Sequence, residues 1–250
     1  MTIVVIGGSG FLGAKLVGAL RGRGYEVLAA SPRSGVNSVT GEGLAEAIAG
    51  AEVVVDVTNP PSLDGDLATE FFQASGRNLI AAGKAAGVAH HVVLSIVGAD
   101  RLASGYFRAK VAQEDLIRKS ALPHTIVRST QFFEFIDQIV ENATDGDTVR
   151  LPQAYLQPIA GDDAAAALCD VAMAPASNDT IEVGGPAAIE LAELASELLS
   201  AREIPRKVLA DPGALYFGAA IETRSLIPGP DARVGQDTFA DWLRRMIPAG

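Results

Sequence analysis

Three polar residues stand out for what they could do together. Ser95 ends the apolar run Val92-Val93-Leu94, and Tyr106 and Lys110 follow it, four residues apart. On a helix that spacing puts both side chains on one face. An ammonium beside a phenol favours the tyrosinate and lowers the phenol's pKa. A phenol so tuned can pass a proton to a carbonyl oxygen as a hydride arrives, while a serine hydroxyl at a strand end hydrogen-bonds the same oxygen. Ser95, Tyr106 and Lys110 are therefore the candidate catalytic set, and Ser95 and Tyr106 are also expected to face the substrate.

A hydride needs a carrier, and the first residues suit one. Val4-Val5-Ile6 runs into Gly7-Gly8-Ser9-Gly10-Phe11-Leu12-Gly13, and an amphipathic stretch follows. Glycines let a backbone turn tightly and approach a pyrophosphate, and the free N–H groups of a helix start face its negative charge. Two registers fit, Gly8-x-Gly10-x-x-Gly13 and Gly7-x-x-Gly10-x-x-Gly13. The second strand ends Ala29-Ala30-Ser31-Pro32-Arg33, with no carboxylate to hold a ribose 2′-hydroxyl. Ser31 and Arg33 stand there instead, and an arginine fork pairs with a 2′-phosphate. The expected cofactor is NADP(H) over NAD(H). Asp56-Val57-Thr58-Asn59 closes the third strand candidate and adds plausible nucleotide contacts.

Elements to position these residues can be read from periodicity. Strand candidates are Thr2–Ile6, Glu26–Ala30, Val53–Val57, His91–Ser95 and Thr125–Arg128, all short apolar or β-branched runs. Helix candidates lie between them at Phe11–Gly22, Gly43–Ala49, Leu67–Gly87 and Ser104–Ser120. This alternation implies an α/β fold, a doubly wound parallel sheet of Rossmann type with its ligand at the strands' C-terminal edge. Residues 1–130 form the expected dinucleotide-binding core. Residues 131–250 form a small C-terminal substrate lobe that partly completes the core, within one compact domain. That lobe should hold an aromatic helix from Gln131 to about Glu141, helices at Asp162–Ala174, Glu190–Arg202 and Thr238–Met246, and short strands near 148–151, 157–159, 180–183 and 207–210. Phe132, Phe133 and Tyr155 are the candidate apolar substrate contacts.

Composition bounds the function classes. The 250 residues carry a net charge of −10, which disfavours nucleic acid and anionic membrane surfaces, since phosphate binding needs clustered lysine and arginine. The single cysteine, Cys169, excludes an intrachain disulfide and reads as core filler. His90, His91 and His124 have no metal spacing and read as surface or strand-edge residues, so no metal is expected. The sequence starts directly in a strand, without a basic leader, so the expected location is the cytoplasm. The expected assembly is a monomer or a homodimer.

The ordered set of Gly7, Gly10 and Gly13, Asp56, then Ser95, Tyr106 and Lys110 resembles the short-chain dehydrogenase/reductase superfamily, in its atypical, NmrA-like NAD(P)H-binding branch. Gln157-Pro158-Ile159-Ala160-Gly161-Asp162-Asp163 looks like that branch's entry to a C-terminal helix. The resemblance implies that Tyr106 is the general acid, that Lys110 binds the nicotinamide ribose and tunes Tyr106, and that Ser95 positions the substrate oxygen. The implied activity is NADPH-dependent reduction of a ketone, quinone or activated alkene. The alternatives are an NADP(H)-binding redox sensor without turnover and an NAD-dependent epimerase or dehydratase.

Overall fold

The structure, a computed structural model, describes residues 1–246. Twelve strands and eight helices follow one another among these residues. The strands are β1 (Thr2–Ile6), β2 (Glu26–Ala30), β3 (Val53–Asp56), β4 (His90–Ile96), β5 (His124–Ser129), β6 (Thr144–Asp145), β7 (Thr148–Leu151), β8 (Tyr155–Leu156), β9 (Asp179–Gly184), β10 (Ile189–Glu190), β11 (Lys207–Ala210) and β12 (Arg233–Val234). The helices are α1 (Phe11–Gly22), α2 (Leu44–Ile48), α3 (Gly65–Ala86), α4 (Gly105–Arg118), α5 (Ile136–Asn142), α6 (Gly161–Met173), α7 (Leu191–Ala201) and α8 (Phe239–Met246).

Seven strands form one parallel sheet in the order β12-β9-β5-β4-β3-β1-β2. The chain leaves β1 toward β2 on one side and returns to β3 on the other. A crevice therefore opens beyond the C-terminal ends of β1 and β3, the place where ligands bind in open α/β sheets. The strands are apolar on both faces because helices cover both. Ile3, Val5, Val53, Val55, Val92 and Val127 pack on α1 and α6. Val4, Ile6 and Val54 pack toward α2 and α3, and Val93 and Ile126 meet Ile117 of α4. Cys169 lies buried in α6 among these apolar residues, as expected of a filler.

Residues after 130 enter the sheet as well as leaving it. β9 and β12 extend its edge, and Asp163 of α6 accepts from the Gln236 and Asp237 amides to fasten the chain before α8. A second apolar cluster builds the lobe from α5, α7 and α8, where Phe239 and Trp242 stack at 5.7 Å against Phe133.

Two expectations are corrected. The aromatic helix does not start at Gln131: Phe132 pairs with Ile159 as a parallel bridge, Phe133–Phe135 is a single 3₁₀ turn, and only then does α5 begin. The backbone cannot be helical while it holds that bridge. The three histidines are not at the surface either. His90, His91 and His124 are buried at the N-terminal ends of β4 and β5, with His90 Nε2 2.9 Å from Thr125 Oγ1. Burial lowers the pKa of His90, and that of His91 to about 4, so both are held neutral.

Candidate functional site

The glycine turn sits at the crevice. Gly7 has φ +83°, a backbone region that favours glycine. The Gly7 and Gly8 amides both donate to the Ala30 carbonyl, which folds the turn against the end of β2. Gly13 is where α1 meets the turn: a Cβ there would stand 2.1 Å from the Gly7 carbonyl oxygen. Helix α1 starts at Gly10 without a side-chain cap and without an acidic residue in its first turn. Its first amides therefore remain available to an anion, and the positive end of the helix dipole is uncompensated. This is a cradle for a pyrophosphate, and the residues present fit a dinucleotide. Ser9 and Phe11 are exposed on it, whereas Leu12 is buried beneath.

The neighbouring strand ends complete its rim. A Cβ on Gly7 would lie 3.1 Å from the Val57 carbonyl oxygen and 3.2 Å from the Thr58 nitrogen, so the segment after β3 flanks the turn directly. Asp56 Oδ1 accepts from the Thr58 amide and hydroxyl at 2.9 and 2.7 Å, fixing the bend. On the other side Ser31 is buried, its backbone locked to the Ser34 hydroxyl, while Arg33 is exposed and forms no ion pair among the described residues.

The proposed catalytic residues lie close together along α4 and β4, but their contacts differ from the expectation. The Tyr106 hydroxyl donates to Asn59 Oδ1 at 2.6 Å. Lys110 Nζ donates to the Leu94 carbonyl at 2.7 Å and to Gln113 Oε1 at 2.6 Å, and lies 4.3 Å from the Phe72 ring centroid. Burial pushes the Lys110 ammonium down to about 8, against the pull of Asp56 and Glu114. Burial raises the Tyr106 phenol instead of the lysine lowering it. The tuned Tyr–Lys pair read from the spacing is thus not formed in this arrangement. Both side chains share a helix face, yet each is engaged elsewhere.

Ser95 departs further. Side chains alternate across a strand, and Ser95 points to the α4 side, where its hydroxyl donates to Glu114 Oε1 at 2.5 Å. Glu114 is fully buried and takes a bidentate arginine: Arg128 Nε and Nη2 reach its two oxygens at 2.9 and 2.7 Å. Arg118 adds a contact at 2.9 Å, and Arg128 Nη1 reaches Asp100 in the β4–α4 loop at 2.7 Å. Burial alone would raise the Glu114 carboxyl; the hydrogen bonds from Arg128, Ser95 and Arg118 hold it below the usual range. A second chain runs beside the first, from Lys110 through Gln113 to Asp56 Oδ2 at 3.1 Å. The sequence reading missed Gln113, Glu114 and Arg128. The signal was an arginine inside a buried strand, which must bring a partner with it.

The aromatic substrate candidates separate. Phe132 is half-buried and packs on Phe11 of the turn at 5.9 Å, with Phe135 5.0 Å from the same ring. Phe133 is corrected: it faces the lobe's core against Phe239 and Trp242 and does not join Phe11. Tyr155 is 40% exposed on β8 and is not among the rings that pack on Phe11.

Residues 7–174, more than half the sequence, match the model of a family described as NAD(P)H-binding. The chain belongs to the NAD(P)H-binding family. This family membership and the cradle together make the ligand of the turn a nicotinamide dinucleotide. A curated relative, the chloroplastic divinyl chlorophyllide a 8-vinyl-reductase of Oryza sativa subsp. indica, is 28% identical over 221 residues, covering 74% of this chain and 54% of the relative. The chain thus spans about half the length of that relative. Among solved structures, an NADPH-dependent quinone oxidoreductase from Escherichia coli bound to NADPH superposes with a TM-score of 0.74 at 18% identity, over 98% of this chain and 100% of that one. The Citrobacter sp. triphenylmethane reductase complexed with NADP(H) gives 0.63 at 18% identity, over 86% and 80%. These likenesses show a shared fold. Among the described residues no acidic, histidine or cysteine cluster could hold a metal ion, and no helix is long and apolar enough to cross a membrane.

Proposed function

We propose that this protein is an NADPH-dependent reductase of a small conjugated acceptor, a quinone or an activated alkene. The observation that carries the reading is the arrangement of Tyr106 and Lys110 beside the dinucleotide cradle. Reducing a simple ketone creates a strongly basic alkoxide and calls for a tuned acid close by. Here the Tyr106 hydroxyl is spent on Asn59 and its pKa is raised, while the Lys110 ammonium is spent on Leu94 and Gln113. A conjugated acceptor spreads the incoming charge onto a remote atom, and its weakly basic anion takes a proton from water. The relatives support this class: quinone, vinyl and triphenylmethane acceptors all appear in their names.

When bound, the nicotinamide supplies a hydride, two electrons and one proton, and water supplies the second proton to the reduced acceptor. The chain's own groups do the rest. The first amides of α1 hold the pyrophosphate. Asn59, fixed by Tyr106, and Thr58, fixed by Asp56, wall the nucleotide. Lys110 lies one helical turn deeper and is positioned to meet a ribose hydroxyl if it leaves Gln113. Arg33 has no carboxylate beside it and is free to pair with a 2′-phosphate, which favours NADP(H) over NAD(H). Phe11, Phe132 and Phe135 form an apolar shelf next to the turn that suits a planar ring.

The test is NADPH oxidation against a panel of quinones, enones and simple ketones, wild type beside Tyr106→Phe. The expected result is turnover with quinones or enones that Tyr106→Phe lowers less than about tenfold. A general acid contributes roughly a hundredfold or more. A larger loss with Tyr106→Phe, or turnover with ketones only, would overturn the conjugated-acceptor reading. Tight NADPH binding without turnover would favour a redox sensor.

A further inference from the structure

Three buried polar groups at the C-terminal edge of the sheet have no hydrogen-bond partner: Thr130 Oγ1, Gln131 Oε1 and the Tyr216 hydroxyl. Thr130 and Gln131 directly follow β5, so they lie where a substrate must approach the cofactor. Tyr216 is 3% exposed and its hydroxyl interacts with the Gln131 side chain, but the contact falls short of good hydrogen-bond geometry, which leaves the Tyr216 hydroxyl and Gln131 Oε1 without a well-formed bond. Buried polar atoms are nearly always satisfied, and each exception needs a reason.

The surroundings of this pair are apolar and built. Tyr216 packs on Phe107 of α4 at 6.4 Å and on Phe217 at 5.0 Å, within a cluster that includes Ile96 at the end of β4 and Ala99 beyond it. The tyrosine is held by a tight hairpin in which Tyr216 and Ala219 exchange both backbone hydrogen bonds. Phe217 at the hairpin tip has φ +45°, a left-handed conformation that costs a bulky residue free energy. Backbone strain of this kind is kept where a side chain must be aimed. Just beyond the hairpin, Ala220, Ile221, Glu222, Arg224 and Ser225 line a cleft of about 590 Å³ with Arg101. The cleft therefore borders the chain that leaves the hairpin carrying Tyr216.

We propose that Tyr216 and Gln131 are the acceptor-binding pair. The Tyr216 hydroxyl donates to the carbonyl oxygen of a conjugated acceptor, and Gln131 receives the hydroxyl of the reduced product. Entry from the cleft requires the 216–219 hairpin to lift. Burial raises the Tyr216 phenol, so it stays protonated and serves as a fixed donor, a binding group and not an acid. The assignment rests on the reductase reading above, and it narrows the substrate to acceptors that carry an oxygen conjugated to the reducible bond.

The experiment uses menadione as the probe with NADP⁺ in place of NADPH, so that binding is read without turnover. Kd for menadione and the thermal midpoint of the free protein are measured for wild type, Tyr216→Phe and Gln131→Met. The expected result is a roughly tenfold weaker menadione Kd in each variant, the loss of about one hydrogen bond, with NADP⁺ affinity changed less than twofold. The midpoint of Tyr216→Phe should stay nearly level or rise, because the hydroxyl removed makes no well-formed hydrogen bond. An unchanged menadione Kd, no menadione binding to wild type, or a lowered midpoint with unaltered binding would overturn the proposal. Failure of the reductase reading is separate: it appears as wild type that binds menadione but does not oxidise NADPH with it.

Discussion

Replacing Glu114 by Gln removes one charge from the most enclosed ion pair in the described residues and keeps its shape. Glu114 is fully buried, takes two hydrogen bonds from Arg128, and adds Ser95 and Arg118. Breaking a buried pair from one side costs ~3–5 kcal/mol, because the remaining charge is left uncompensated. Arg128 keeps its contact with the half-exposed Asp100, which places the cost at the lower end, about 3 kcal/mol. For a chain of this size that is a fall of roughly 6–12 °C in the midpoint. Urea unfolding of Glu114→Gln, Arg128→Met and the double variant measures it. The coupling between the two should reach ~2 kcal/mol. The pH dependence has a definite sign: the folded carboxyl is held below its unfolded value. Its contribution is therefore present above the unfolded pKa and is lost as pH falls through the folded one. Glu114→Gln should flatten that acid arm. A cost under ~1 kcal/mol, or additive single effects, would refute the idea that this pair stabilises the floor of the site.

Gly13→Ala puts a Cβ 2.1 Å from the Gly7 carbonyl oxygen. It should weaken NADPH binding at least a hundredfold in fluorescence titration while circular dichroism keeps the helical signal. Arg33→Ala should weaken NADPH about tenfold and leave NADH within twofold, the loss of one charge-assisted pair with the 2′-phosphate. Calorimetry with both cofactors decides it. His91, buried and lowered from 6.5 to about 4 with Asp56 opposing and His90 and His124 reinforcing, is neutral when folded. A depressed histidine contributes stability above its unfolded pKa that is lost as pH falls from 6.5 toward 4, up to ~3 kcal/mol. His91→Leu should shrink that acid loss in unfolding curves at pH 7 and pH 4.5.

The sheet and the cradle were legible because their signals are local. A glycine turn between an apolar strand and an amphipathic helix needs no tertiary context, and five of the seven sheet strands have plain apolar runs. β12 was not visible, since two residues, Arg233 and Val234, carry no periodicity and form a strand only because β9 offers an edge. The site was half legible. Spacing placed Tyr106 and Lys110 on one face of α4, but spacing cannot say what fills the space between that helix and the sheet. Gln113 and Glu114, on the following turn, take the hydrogen bonds first. The side of the sheet that Ser95 faces was likewise open until β4 had a register. Phe133 and the histidines were misplaced for the same reason: burial depends on which element lands on top. Gln131 and Tyr216 are 85 positions apart by their numbering and meet only through the hairpin after β11.

The central claim, that a dinucleotide on the glycine turn delivers a hydride to a conjugated acceptor, is tested most directly with NADPH deuterated at the transferable position. The protein is mixed with this cofactor and menadione under single-turnover conditions, and the reaction is followed at the cofactor's near-ultraviolet band. The account predicts stoichiometric loss of NADPH and a slower rate with the deuterated cofactor, and it predicts that Gly13→Ala abolishes both. Cofactor that binds to the turn and is never consumed by any acceptor would contradict it.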